Sequence, residues 1–332
     1  MTPGTGPASL LADARALGAR GSWGDVRALL GAHRPEARAH PELITLFGES
    51  LLRTQAPREA SQWLAETGLV VRRSGDRAAA RKAINLEGVA CFETGELSVA
   101  EVRFQEAMEM GRDDGDDLLL ARATNNLGTI ANVRGEPREA LSLYRLAIPA
   151  YQRLGHARGL SETYHNLAIS FRDLDDDPHA DECERRALEF ARQAEEPQLA
   201  AMAMVGLAEL QFRRGDTQLA EAEAWRAAEE MAKAGDAKGE ADALRLAGVA
   251  ATALGRHEDA TQALDRALER ARANGFPIIE SEALRARAEL AYALGDRAAA
   301  LASAAEALVV LERLGADAEI AKLKEWIAAL GG

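Results

Sequence analysis

The residues able to do chemistry are few and scattered. Six histidines (His33, His40, His156, His165, His179 and His257) and two cysteines (Cys91 and Cys183) are spread over 332 residues. No phosphate-cradling loop, His-Glu-x-x-His pair or nucleophile elbow joins them, so catalysis finds no motif and no catalytic residue is assigned. The densest set of cation ligands is segment 173–184, DLDDDPHADECE. Asp175, Asp177, His179 and Asp181 could approach a hard cation, but the spacing lacks the Asp-x-Asp-x-Asp-Gly loop and its distal Glu. His179 with Cys183 supplies only half of a zinc site. An Asp-capped, solvated turn is expected there, and likewise at DDGDD, 113–117. No metal and no cofactor is expected, and Cys91 falls at a core position.

Composition narrows the class further. The formal net charge is −13 and the pI about 5.1, so a nucleic-acid backbone would be repelled on average. Hydrophobic residues make up 47% and aromatics only 5% of the chain, and the apolar mass is Ala and Leu, which favours helix. No apolar run is long enough for a membrane span, and the first residues lack a basic segment followed by an apolar one. Two cysteines suit a reducing compartment, and a cytoplasmic location is expected.

The chemistry therefore depends on the elements that would position it, and those are periodic. From residue 75 to 315 Gly occupies eleven of thirteen positions spaced by 20, the exceptions being Asp175 and Glu195. Chance would fill about one of them, and Gly at this interval marks the end of each of a series of helices. Two helices make a unit of 40: Ala60, Ala100, Ala140, Ala180, Ala220, Ala260 and Ala300 recur without exception. Thr67, Ala107, Ala147, Ala187, Ala227, Ala267 and Ala307 follow seven residues later. Gly48, Gly88, Gly128, Ala168, Ala208, Gly248 and Ala288 hold one phase of the preceding helix. Small residues at fixed points allow close helix crossings. Asp76, Asp116 and Asp236 stand where first helices begin, and Glu96, Glu136, Asp216 and Asp296 where second helices begin. Pro149 falls inside a second helix and should bend it.

This pattern resembles the tetratricopeptide repeat. The resemblance rests on ARATNNLGTIANVRGEPREALSLYRLAIPAYQRLG, 121–155, where Gly128, Gly135, Ala140, Tyr144 and Ala147 match the family's small, Gly, Ala, bulky and Ala positions. The period of 40 is similar to the long repeats of kinesin light chains, GoLoco-binding polarity adaptors and bacterial Rap-type peptide receptors. The resemblance implies an all-α fold: a right-handed superhelix, or α-solenoid, of antiparallel helix pairs, with seven to eight repeats and a C-terminal capping helix. The expected organisation is a weaker helical pair over 1–40, then seven units (41–75, 76–115, 116–155, 156–195, 196–235, 236–275 and 276–315). A cap over 316–332 follows, with Ile320, Leu323, Trp326, Ile327 and Leu330 on one face.

In the family the first helix of each pair lines a concave groove. Its lining positions, carried over residue by residue, place Lys82, Asn85, Phe92, Arg122, Asn125, Asn126, Asn132, His165, Asn166, Arg172 and Phe212 on one wall. A primary amide offers donor and acceptor together and can clasp a peptide backbone; Arg and Lys orient carboxylates, and Phe takes an apolar anchor. The alternative is a solvated helix face. The chaperone-tail clamp is absent, since no Lys stands at its position 5 and the ninth positions read Glu49, Val89, Thr129, Ile169, Glu209, Val249 and Glu289. The resemblance thus implies a non-enzymatic scaffold that binds a protein or peptide segment, with no nucleic-acid or membrane partner. Two alternatives stay open: a peptide-responsive sensor of the Rap type, and a scaffold that self-associates into a homo-oligomer.

Overall fold

The computed structural model describes residues 7–331, which form eighteen α-helices and no strand. Seven consecutive pairs carry the repeat. They are α4 (Pro41–Arg53) with α5 (Pro57–Arg73), α6 (Arg77–Glu93) with α7 (Leu97–Asp114), and α8 (Asp117–Arg134) with α9 (Pro137–Arg153). Then come α10 (Ala157–Asp173) with α11 (Asp177–Gln193), α12 (Pro197–Arg213) with α13 (Thr217–Lys233), α14 (Ala237–Ala253) with α15 (His257–Asn274), and α16 (Pro277–Ala293) with α17 (Arg297–Leu314). The last helix is α18 (Asp317–Gly331). Helices pack on their neighbours in sequence, and first helices also pack on first helices, as α10 does on α12 and α14 on α16. The fold is an all-α solenoid.

Before residue 41 the sequence predicts one helical pair, and the described residues hold three helices: α1 (Pro7–Ala19), α2 (Trp23–Ala32) and α3 (Arg34–Ala39). The added break is local. His33 leaves helical geometry at φ −121°, ψ 39°, and Pro35 starts the next helix in its first turn. Pro149 lies inside α9, which stays helical to Arg153.

The chain packs as two units, one up to Ala123 and one from Thr124, with the boundary inside α8. In the first, Phe47 meets Trp63 edge to face at 4.8 Å, and the Trp63 indole donates to the Ile44 carbonyl at 3.0 Å. In the second, Tyr144 and Tyr151 are the largest fully buried side chains. Crossings are set by size: a methyl at Gly128 would stand 2.6 Å from the Tyr144 ring, and one at Gly88, in the first unit, 2.5 Å from Phe104. At Gly48, Gly88, Gly128 and Gly248 the first helix receives the bulky residue sixteen positions later.

The turns keep one geometry throughout. The lattice glycines take φ between 61° and 94°, and Gln55, Asp175 and Glu195 take φ 56°, 57° and 55° in the same places. Loss of Gly at 175 and 195 therefore leaves the left-handed turn intact, held by the packing of the helices on either side. Asp76, Asp116, Asp236 and Asp296 accept the backbone N–H three residues on, and Glu96, Glu136 and Asp216 make no such cap. Neither the two Glu side chains nor that of Asp216 folds back onto its own first turn here. No helix among the described residues is long and apolar enough to cross a membrane.

Candidate functional site

Each unit places its share of the wall residues separately. In the first, Lys82 pairs with Glu49 at 2.7 Å. Asn85 has a buried side-chain oxygen without a hydrogen bond, Phe92 is half-buried and Arg122 is exposed.

In the second unit the amides are largely committed to holding α8 against α10. Asn125 is 5% exposed, and its oxygen accepts from the Thr163 hydroxyl at 2.9 Å while its amino group reaches Asn126 at 3.4 Å. Asn132 donates to the Tyr144 hydroxyl and the Asn166 carbonyl, both at 3.1 Å, and accepts from Ser170 at 2.7 Å. Asn166 donates to Thr129 at 3.3 Å. These bonds run between residues 34 to 38 apart, one repeat along the chain, so the Asn ladder is a helix-to-helix clamp. Asn126, Asn166 and Phe212 remain half-buried.

The charges form a diagonal across successive first helices. Arg172 of α10 pairs with Glu209 of α12 at 2.6 Å. Arg245 of α14 reaches Glu209 at 3.8 Å, Asp242 at 2.8 Å and Glu282 of α16 at 3.2 Å. Arg285 of α16 pairs with Glu319 of α18, which also holds Lys322 at 2.7 Å. Burial alone would lower the Arg245 pKa, but Asp242, Glu282 and Glu209 overcome it and hold the guanidinium charged. Burial likewise opposes ionisation of Asp242, and Arg245 reverses it, so this carboxyl sits below its ordinary range. Glu209, Asp242, Arg245 and Glu282 escape a reading of the sequence column by column. The signal is the 36- to 37-residue spacing of Glu209, Arg245 and Glu282 from Arg172 onward, three to four positions earlier in each successive unit, with Asp242 three residues before Arg245.

His165 stands on the same wall, where Nδ1 lies 3.0 Å and 3.1 Å from the two oxygens of Glu184, a side chain only 1% exposed. Burial pulls the imidazole pKa down; the Glu184 charge and hydrogen bond outweigh it, and the net direction is up. Glu184 occupies the column that reads Leu64, Phe104, Tyr144, Glu184, Ala224, Leu264, Ala304, in place of a bulky apolar residue. Its carboxylate lies where a Cβ at 206 would stand, and Gly206 leaves that space open.

The acidic segment is tied down by the protein's own cations. Asp175 and Asp177 both take Arg213 at 2.9 Å, His179 caps back onto Asp176 at 2.8 Å, and Asp181 takes Arg185 at 2.6 Å and Arg214 at 3.0 Å. Cys91 and Cys183 are buried, and burial first, with nearby carboxylates, pushes their thiols up to about 11 and about 12. At such values the thiolate is scarce at neutral pH.

Consecutive helix hairpins joined by repeated left-handed turns, with small residues at each crossing, define a helical-repeat solenoid. Residues 119–193 match the tetratricopeptide repeat family, so this stretch of the chain carries tetratricopeptide repeats. Among solved structures it is similar to a Rap protein complexed with Competence and Sporulation Factor. That match is at 15% identity over 98% of this chain and 99% of the other, with a TM-score of 0.71. It is also similar to the Rap conjugation gene regulator of the plasmid pLS20 in complex with the Phr* peptide, at 15% identity over 86% and 76%, TM-score 0.67. NprR in complex with its cognate peptide NprX matches at 10% identity over 97% and 98%, TM-score 0.64. No curated protein matches in sequence.

Proposed function

We propose that the chain is a non-enzymatic scaffold of the cytoplasm that holds a peptide or protein segment along the wall made by its first helices. The observation that carries this is the diagonal from Arg172 through Glu209 and Arg245 to Glu282, with His165, Asn166 and Phe212 on the same helices and Asn126 on α8. Rigid helices fix alternating charges and amides before a ligand arrives, so little ordering entropy is lost on binding. Charged groups tied to one another can exchange partners with a ligand without being stranded. In the first unit, taken by itself, Lys82, Asn85, Phe92 and Arg122 occupy the equivalent register and are candidate contacts there. The pLS20 Rap regulator and NprR structures contain peptides, which favours a second reading on the same wall, a peptide-responsive regulator.

The test is selection of binders from a displayed peptide library on the full chain, followed by affinities for the variants Asn126→Ala and Arg172→Gln at unchanged helicity. A loss of about tenfold or more in each is expected, equal to roughly 1.4 kcal/mol. Equal affinities for wild type and both variants would remove the wall as the site. Small-angle scattering with and without the selected peptide separates the two readings, since only a regulator of the sensor type changes its dimensions.

A further inference from the structure

The sequence assigns α18 the role of a cap, and one face of it does cap. Leu323 and Leu330 are buried, Leu330 packs with Ala291 and Ala300, and Trp326 meets Tyr292 edge to face at 6.3 Å. The remaining contacts go elsewhere. A Cβ at Gly135, in the turn between α8 and α9, would stand 2.5 Å from the Ala318 methyl. Glu319 pairs with Arg285 of α16. The Asp173 carboxyl, at the end of α10, is raised first by burial, is lowered by Arg172 and Lys322, and is raised again by Glu319, so α18 brings two charges beside it. A cap touches only the last pair. This helix touches α16 and α17 at one end of the second unit's series and the α8–α9 turn at the other.

We propose that α18 is the closing wall of the second unit's groove, and that a ligand reaches the inner faces of α10 to α16 only when α18 lifts from Gly135. The contact is small: one methyl against one glycine and one charge pattern around Asp173, against a larger apolar seat on α16 and α17. That asymmetry makes the Gly135 contact the one that gives way, while the apolar seat of Leu323 and Leu330 on α16 and α17 holds. A wall that closes round its ligand takes a linear peptide with a free end and refuses an internal loop of a folded protein. The functional consequence rests on the proposed groove; the contact itself does not.

The experiment is hydrogen exchange on the full chain for wild type, Ala318→Arg, Lys322→Glu and, as control, Lys324→Glu, which makes the same charge change at an exposed site. Amides of 317–331 should exchange about tenfold faster or more in the first two variants, with the control and the amides of α12 unchanged. Wild-type exchange in Ala318→Arg would overturn the closing contact. A fluorescein-labelled random hexapeptide pool then reports access. Association with Ala318→Arg should be about threefold faster or more than with wild type. Equal association rates with a loosened α18 would overturn the gate and leave the groove standing. If the pool binds neither protein, the groove reading fails, and the gate with it, while hydrogen exchange alone still decides the contact.

Discussion

At the scale of single residues, Glu184 is the least expected feature, a carboxylate in the column that elsewhere holds Leu, Phe, Tyr or Ala. It is accommodated because Gly206 has no side chain and because His165 meets it. Gly206→Ala should therefore destabilise the protein by about 1–3 kcal/mol in denaturant titration, although Ala is the better helix former by about 1 kcal/mol. Pairing it with Glu184→Ala should recover most of that loss, the signature of direct coupling. The pair also predicts a pH dependence. The folded pKa of His165 is raised, so its stabilisation is full below the ordinary imidazole value of about 6.5 and is lost as pH rises through the folded value. Arg172 opposes and Asp242 supports the charged imidazole. The stability difference between wild type and Glu184→Gln should be largest near pH 6 and shrink towards pH 9, measured by denaturant titration at each pH. Asn125→Ala, which breaks the Thr163 bond, should cost about 1–2 kcal/mol. The Asn residues were legible as a group on one face. Their use as a clamp was not, because a bond between residues 38 apart depends on how α8 lies against α10, which no single helix encodes.

At the scale of elements, the sequence carries helix boundaries almost completely, since Gly every 20 residues, Asp caps and helix-starting Pro act locally. Legibility fails where a local signal is overridden from outside. At Gln55, Asp175 and Glu195 the left-handed turn persists without Gly because the flanking helices impose it. These residues hold a conformation that costs an L side chain about 1 kcal/mol. Glu195→Gly should accordingly raise the thermal midpoint, by about 2–4 °C for a chain of this size, with no change in helicity by circular dichroism. A fall in the midpoint would show that Glu195 has a contact worth more than its strain. The third helix before residue 41 was missed for the opposite reason. Its signals, the helix-starting Pro35 and Pro41, lie too close together for a 16-residue helix between them.

At the scale of the molecule, each repeat contacts mainly its neighbours, so stability is distributed and need not be lost in one step. The four tryptophans report on this: Trp23 and Trp63 lie in the first unit, Trp225 and Trp326 in the second. Phe104→Ala, which empties the crossing at Gly88, should cost about 3–5 kcal/mol in the transition seen by Trp23 and Trp63. The transition seen by Trp225 and Trp326, read in a chain with Phe at 23 and 63, should move less. Identical shifts would show one cooperative block. The diagonal of ion pairs carries a consequence of another kind, for inheritance. Glu209 answers to Arg172 on one helix and Arg245 on the next, and Arg245 in turn to Asp242 and Glu282. A lone charge reversal strands one partner at either end of that line, two at Glu209 and three at Arg245, so sequences descended from a common array should change these positions as a set or keep them all. Sibling proteins would then differ from one another in whole diagonals, each with its own order of signs.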